Sequence, residues 1–179
     1  MPVFVGLHIG DERLYDLGRV FQRYSYSIVS LEHQHLTLLF IGDYKGVFLH
    51  NIVSLLKEVV LVIPSTLIPK GIVLIPPGKN TNVAVTVEND KRLLVARQLI
   101  IKKLTEHDIV IRDKYSFLPH VTIARRRKPL DSLNSKEVLL LLKRIEKLLP
   151  RFIVVRGVFL YETTREGYRR VLELKAKWV

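Results

Sequence analysis

Two short stretches of this sequence, His35-Leu36-Thr37-Leu38 and His120-Val121-Thr122-Ile123, share one pattern: His, apolar, Thr, apolar. Six His and eight Thr in 179 residues supply roughly 0.3 His-x-Thr triplets by chance, so two in strand-like segments carry information. In a strand, residues i and i+2 face the same way, so each His shares a face with its own Thr while the apolar neighbours turn to a core. Two imidazoles titrating near neutrality can serve as acid and base at one pH, and each such proton transfer is worth about 10² to 10⁴ in rate. A Thr hydroxyl beside each can donate to phosphoryl oxygens, where charge builds in the transition state. Two His, two Thr and a basic protein suit in-line attack on a phosphodiester, with no metal required. Residue type does not say which His is the acid and which the base.

The elements that must position these residues repeat. Val3 to Ile9 reads as a strand, and Asp11 to Tyr24 as a helix with Leu14, Leu17, Val20, Phe21 and Tyr24 on one stripe. Ser27 to Leu31 and His35 to Ile41 are strand-like. A second helix carries Val47, Phe48, Asn51, Ile52, Leu55, Leu56, Val59 and Val60 at three-four spacing, and strand follows at about Leu67 to Ile75. Pro76-Pro77-Gly78 then breaks the chain near its midpoint. Beyond it come a strand at Asn82 to Glu88, a helix from Asp90 to about Glu106 and a strand at His120 to Arg125. A helix opened by a capping box at Asn134 to Glu137 runs to Pro150. Strands at Phe152 to Tyr161 and Tyr168 to Trp178 close the chain. Strand–helix–strand–helix–strand thus occurs twice, offset by about 80 to 90 residues. The expectation is an α+β fold in one domain, with two pseudo-repeated lobes at about 1–76 and 79–161 and a C-terminal strand, 168–178, completing the sheets. Packed about a pseudo-twofold axis, the lobes would bring both His-Thr pairs to one cleft.

Composition narrows the partners. Lys and Arg number 29 against 17 Asp and Glu, a net charge of +12, which favours a polyanion, nucleic acid ahead of a membrane surface. The absence of Cys excludes disulfide frameworks, thiolate metal sites and Cys nucleophiles. No segment reaches the ~18 to 20 apolar residues that span a bilayer, and the N-terminus lacks the pattern of a signal peptide, so a cytoplasmic location is expected.

These residues carry a resemblance. The paired His-x-Thr-x motifs resemble those of the two-histidine (2H) phosphoesterase superfamily, and within it the RNA 2′,3′-cyclic phosphodiesterases, or 2′–5′ RNA ligases. The similarity spans nearly the whole chain: Val3 to Leu7 as first strand, Glu32 to Gly42 as first motif block, Leu118 to Arg125 as second, and Leu160 to Gly167 before the last strand. His33 and Gln34 depart from the residues usual in the family. The resemblance implies a bilobal fold whose antiparallel sheets line a basic cleft, with helices outside. It implies hydrolysis of terminal RNA 2′,3′-cyclic phosphate to a 2′-phosphomonoester, reversible 2′–5′ joining in some members, and no cofactor. It also implies roles: His120 as base, His35 as proton donor, Thr37 and Thr122 on the phosphate, and Arg125 as a further phosphate ligand. The implied partners are RNA ends bearing the cyclic phosphate, such as tRNA halves, met by a monomer and no membrane.

Other readings stand beside this one. An RNA-end binder without turnover, a phosphodiesterase for a small cyclic nucleotide and a metal-dependent hydrolase remain open alternatives. His33-x-His35 has a spacing that can chelate zinc, without an evident third ligand. Arg125 lies five positions after His120, so strict alternation points it away from the His face unless the strand bends. His8, His50 and His107 read as surface or structural residues. The run from Arg125 to Lys128 reads as a solvated strand end or a phosphate-steering patch. The aromatic content, 8%, marks no base-stacking platform.

Overall fold

In the first strand, β1 (Pro2–His8), Val3, Val5 and Leu7 are wholly buried in the main core, so Phe4, Gly6 and His8 occupy the opposite face. The computed structural model describes residues 1–179. The chain continues through α1 (Glu12–Arg19), β2 (Ser27–Ile28), β3 (His35–Asp43), α2 (Gly46–Lys57), β4 (Val60–Ile63), β5 (Thr66–Leu67) and β6 (Pro69–Ile75). It goes on through β7 (Asn82–Val87), α3 (Lys91–Thr105), β8 (His120–Arg125), α4 (Ser132–Ile145), β9 (Ile153–Val154), β10 (Gly157–Thr164), β11 (Gly167–Glu173) and β12 (Lys175–Trp178).

Eight strands form one antiparallel sheet with two wings, β11-β10-β1-β3 and β8-β7-β6, with β2 on the edge of β8. The two join through a single residue pair, Leu36 opposite Val121. This is the expected α+β architecture. The division into wings, however, is not the division of the chain. Pro76-Pro77-Gly78 is the turn of the β6–β7 hairpin, where Ile75 faces Asn82, so it joins two strands of one wing. β10 and β11 return from the chain's end to the wing of β1, and β12 leaves it to pair in parallel with β4.

Helices cross in the same way. α1 packs on β8, and α3 packs on β3 and β4, so each half of the chain covers the other half's strands. In α1 the Asp11 side chain caps the amides of Arg13 and Leu14, and Leu14, Leu17 and Gly18 are buried. The helix stops at Arg19, well short of Tyr24: a separate turn of 3-10 helix covers Gln22–Tyr24, and Ser25 is left-handed at φ 61°. α3 starts at its expected cap, Asp90, and buries Leu93, Ala96, Ile100 and Leu104 at three-four spacing. α4 starts earlier than the capping-box reading placed it, because Asp131 accepts from the Asn134 amide at 2.7 Å.

The apolar faces meet in one cluster of 39 buried residues. A second, small cluster lies on the opposite face of β1 and β10, where Phe4, Phe159 and Tyr161 pack with Phe40 and Tyr168. That aromatic floor is where His35 sits. No helix is long and apolar enough to cross a membrane.

Candidate active site

Both motifs lie where the wings meet. The paired residues Leu36 and Val121 are the middle positions of the two His-x-Thr triplets. Continued one residue either way, that antiparallel register sets His35 opposite Thr122 and Thr37 opposite His120. The two imidazoles then lie on a diagonal of the ladder, close enough for their side chains to face one space. They are near enough that charge on His120 depresses His35.

A bulge follows each Thr. Between β1 and β3 the register jumps from Gly6–Thr37 to Val5–Leu39, leaving Leu38 extra. Between β7 and β8 it jumps from Ala84–Thr122 to Val83–Ala124, leaving Ile123 extra. Leu38 and Ile123 are the fourth residues of the two motifs, and both are buried. An extra residue shifts the phase of a strand by one, so the face that carries His120 and Thr122 next presents Arg125, and the face of His35 and Thr37 next presents Phe40. Arg125 is thereby turned towards the histidines. Its guanidinium donates to the Tyr168 hydroxyl on β11, across the cleft. Tyr168 meets the His35 ring edge-on, centroids 4.8 Å apart.

The imidazoles are held alike. His35 Nδ1 lies 2.8 Å from the His33 carbonyl and His120 Nδ1 2.7 Å from the Leu118 carbonyl, each two residues back along the chain. A carbonyl only accepts, so each Nδ1 carries the proton and each neutral ring keeps its basic lone pair on Nε2. His35 packs against Phe4, at 4.8 Å, and Tyr161, at 5.6 Å, two rings that stack on each other at 5.1 Å. Burial pushes its pKa down to about 4, against the His33 carbonyl, which raises it; Arg125 and His120 lower it further. His120 is also depressed, first by burial and then by Arg125, with the Leu118 carbonyl opposing. Both rings are therefore neutral at pH 7.

The cleft includes residues that the sequence did not single out. His8, read as surface or structural, is the cross-strand neighbour of His35 on the site's own sheet face. Burial and Arg170 depress its pKa. His33 does not share a strand face with His35. It lies in a 3-10 turn, its ring edge-on to Tyr168 at 5.7 Å, and it serves His35 through its carbonyl. Gln34 is fully buried, and its side-chain oxygen accepts from the Asp11 amide at 2.8 Å, which ties the motif to the start of α1. No three His, Asp, Glu or Cys side chains group closely enough to hold a metal ion. His50 and His107 lie on α2 and beyond α3, away from the motif strands.

Beside Thr37 and His120 opens a pocket of about 380 Å³ with Phe40, Tyr115, Phe117 and Leu118 in its walls. Overall aromatic content gave no hint of it, because its rings come from β3 and from the loop before β8. Beyond Arg125 lies a groove of about 780 Å³ with no hydrophobic residue among those that line it.

No protein-family model matches this chain, and no curated protein does. Solved structures do. TT0787 of Thermus thermophilus superposes with a TM-score of 0.65 at 21% identity, over 97% of each chain. E. coli LigT without ligand gives 0.65 at 13% identity, over 98% of this chain and 97% of LigT. A phosphoesterase gives 0.58 at 14%, over 97% of this chain and 98% of that one. This chain has the LigT fold. E. coli LigT itself has been crystallised with phosphate, 3′-AMP, NADP+ and ATP. At such low identity, the chemistry rests on the side chains themselves.

Proposed function

We propose that this protein is a two-histidine phosphoesterase that opens the terminal 2′,3′-cyclic phosphate of RNA to a 2′-phosphomonoester. The observation that carries the reading is the matched pair of imidazoles at the Leu36–Val121 junction, each with Nδ1–H tied to a carbonyl. Arg125 is brought to the same face by the Ile123 bulge. The apolar pocket beside Thr37 and His120 favours a substrate that brings a nucleobase over a bare phosphodiester.

In this reading His120 Nε2 takes a proton from water as its oxygen attacks phosphorus in line with the leaving 3′ oxygen. His35 Nε2–H gives a proton to that oxygen, so the P–O3′ bond breaks to leave a 2′-phosphate and a 3′ hydroxyl. Thr37, Thr122 and Arg125 hold the phosphoryl oxygens as charge builds there. His35 needs its proton before it can act. Solvent supplies that proton once the phosphodiester anion lies beside the ring, because a nearby negative charge favours the imidazolium against the burial, and the Arg125 charge, that depress it. A 5′ hydroxyl of a second RNA in place of water would give a 2′–5′ linkage by the same steps. Neither step uses a metal.

The test is a short RNA ending in 2′,3′-cyclic phosphate, incubated in chelator with the wild type, His35→Ala and His120→Ala, the product read by phosphorus NMR. Opening to the 2′-phosphate by the wild type, reduced at least about 10²-fold in each variant, is expected. An unopened substrate with the wild type sinks the assignment.

A further inference from the structure

The groove beyond Arg125 does more than extend a basic surface. Arg125 to Lys128 line it with four cations, Ser25, Ser27 and Asn82 add neutral hydrogen-bonding groups, and no carboxylate takes part. The neutral groups come from two separate strands and a turn: Ser27 and Asn82 both sit opposite Arg125, on either side of β8. Arg126 is held in place, since its guanidinium donates to the Tyr24 carbonyl at 2.8 Å and stacks over Tyr26 at 5.5 Å. Four like charges pinned or gathered in one concavity repel one another until an anion arrives.

The other arginine-lined pocket of the concave side differs in this respect. Around Tyr161 and Tyr168, Arg165, Arg169 and Arg170 are accompanied by Glu32 and Glu166, and Arg169 is ion-paired with Glu162. Its charge is largely compensated from within. The groove of Arg125 to Lys128 has no carboxylate in its lining, Asp131 meeting the charge of Arg126 only from outside it, and it shares Arg125 with the catalytic cleft.

We propose that this groove is a second phosphate subsite, which takes the phosphodiester on the 5′ side of the terminal nucleoside, so that the protein selects oligonucleotides over mononucleotides. The proposal rests on the RNA-end reading above. With the terminal phosphate at the two histidines and its nucleobase in the pocket of Phe40, Tyr115 and Phe117, the next phosphate passes Arg125 and meets Arg126, Arg127 and Lys128. Ser25, Ser27 and Asn82 are placed to hydrogen-bond its ribose and phosphate oxygens.

The test compares adenosine 2′-phosphate with the dinucleotide that carries one more adenosine and an internal 3′–5′ phosphodiester, both ending in a 2′-phosphate. Calorimetric dissociation constants are measured at 50 and 200 mM salt for the wild type, Arg126→Gln and the double variant Arg127→Gln/Lys128→Gln. The double variant changes only exposed side chains and guards against misfolding. The wild type should bind the dinucleotide about tenfold more tightly. Between the two salt concentrations, the dinucleotide should lose about 2.6-fold more affinity than the mononucleotide, the increment for one single-strand phosphate. Both variants should erase the tenfold preference and leave the mononucleotide within twofold of wild type. Equal affinity of the wild type for the two ligands overturns the proposal. So does an equal loss for both ligands in the double variant, or tripolyphosphate binding as tightly as the dinucleotide. Turnover of the same dinucleotide ending in a 2′,3′-cyclic phosphate separates the two claims. Length-dependent binding without turnover sinks the phosphodiesterase and keeps the subsite; turnover with length-independent binding does the reverse.

Discussion

Acidification should expose the burial of His35 as a loss of stability. In the folded protein its pKa is pushed down to about 4, whereas an unfolded chain protonates His near 6.5. Between those values the unfolded state binds more protons, so stability falls as pH falls. The contribution is fully present above 6.5, and by pH 4 about 3 kcal/mol of it is gone. Below 4 the folded ring also takes its proton and the loss levels off. The measurement is urea unfolding at pH 7 and pH 4 for the wild type and for His35→Gln, which cannot titrate. His8 and His120, also depressed, are present in both proteins and cancel in the difference. With a urea slope of about 2 kcal/mol per molar, the wild-type midpoint should drop about 1.5 M further than that of the variant. Equal drops in the two proteins would refute the argument, as would an NMR titration placing His35 near 6.5. The source of the shift would then not be the burial of the ring against Phe4 and Tyr161.

The same depression predicts an acid-shifted rate profile. With both imidazoles below their ordinary value in the free protein, kcat/KM should peak below pH 6.5 and fall towards pH 8. The kcat profile should lie further alkaline, because bound phosphate restores protons to the pair; a kcat/KM maximum at pH 8 would contradict it. Gly18→Ala tests how α1 supports the bulge. A methyl there would sit 2.7 Å from the Ile123 carbonyl oxygen, which also accepts from the Val29 amide. A cost of about 1 to 3 kcal/mol in unfolding, with weaker phosphate binding measured by calorimetry, is expected; an unchanged urea midpoint would show that the helix simply shifts.

Much of the fold was legible where local pattern and tertiary partner agree. β8 runs from His120 to Arg125, the bounds read from its motif, and α3 starts at Asp90 because its cap and its apolar stripe point the same way. Failures came where distant residues decide. Val59 and Val60 continue the apolar rows of α2, yet the helix ends at Lys57, and Val60 to Ile63 pair with the C-terminal strand. Nothing near Val60 in the chain announces that partner. Arg125 marks the limit of strict alternation. Alternation assumes a regular pleat, and one extra residue at Ile123 turns the guanidinium to the opposite face. The bulge left a trace in the sequence, the apolar fourth residue of each motif, but an apolar residue in a strand has many simpler causes. The pocket of Phe40, Tyr115 and Phe117 was invisible because its rings are assembled from separated segments.

The exchange of Phe40 for Arg125 at matching places in the two halves has a consequence for direction. A cleft with true twofold symmetry would accept a substrate equally well in either of two opposite orientations, and each histidine would serve as acid half the time. Here an inverted substrate would press its anionic strand against Phe40 and its nucleobase against Arg126 to Lys128, leaving charge unpaired on both sides. One orientation is thereby made a dead end. The two motifs, alike in sequence and in the carbonyls that hold them, become unlike in what they see, and the cleft acquires a front and a back.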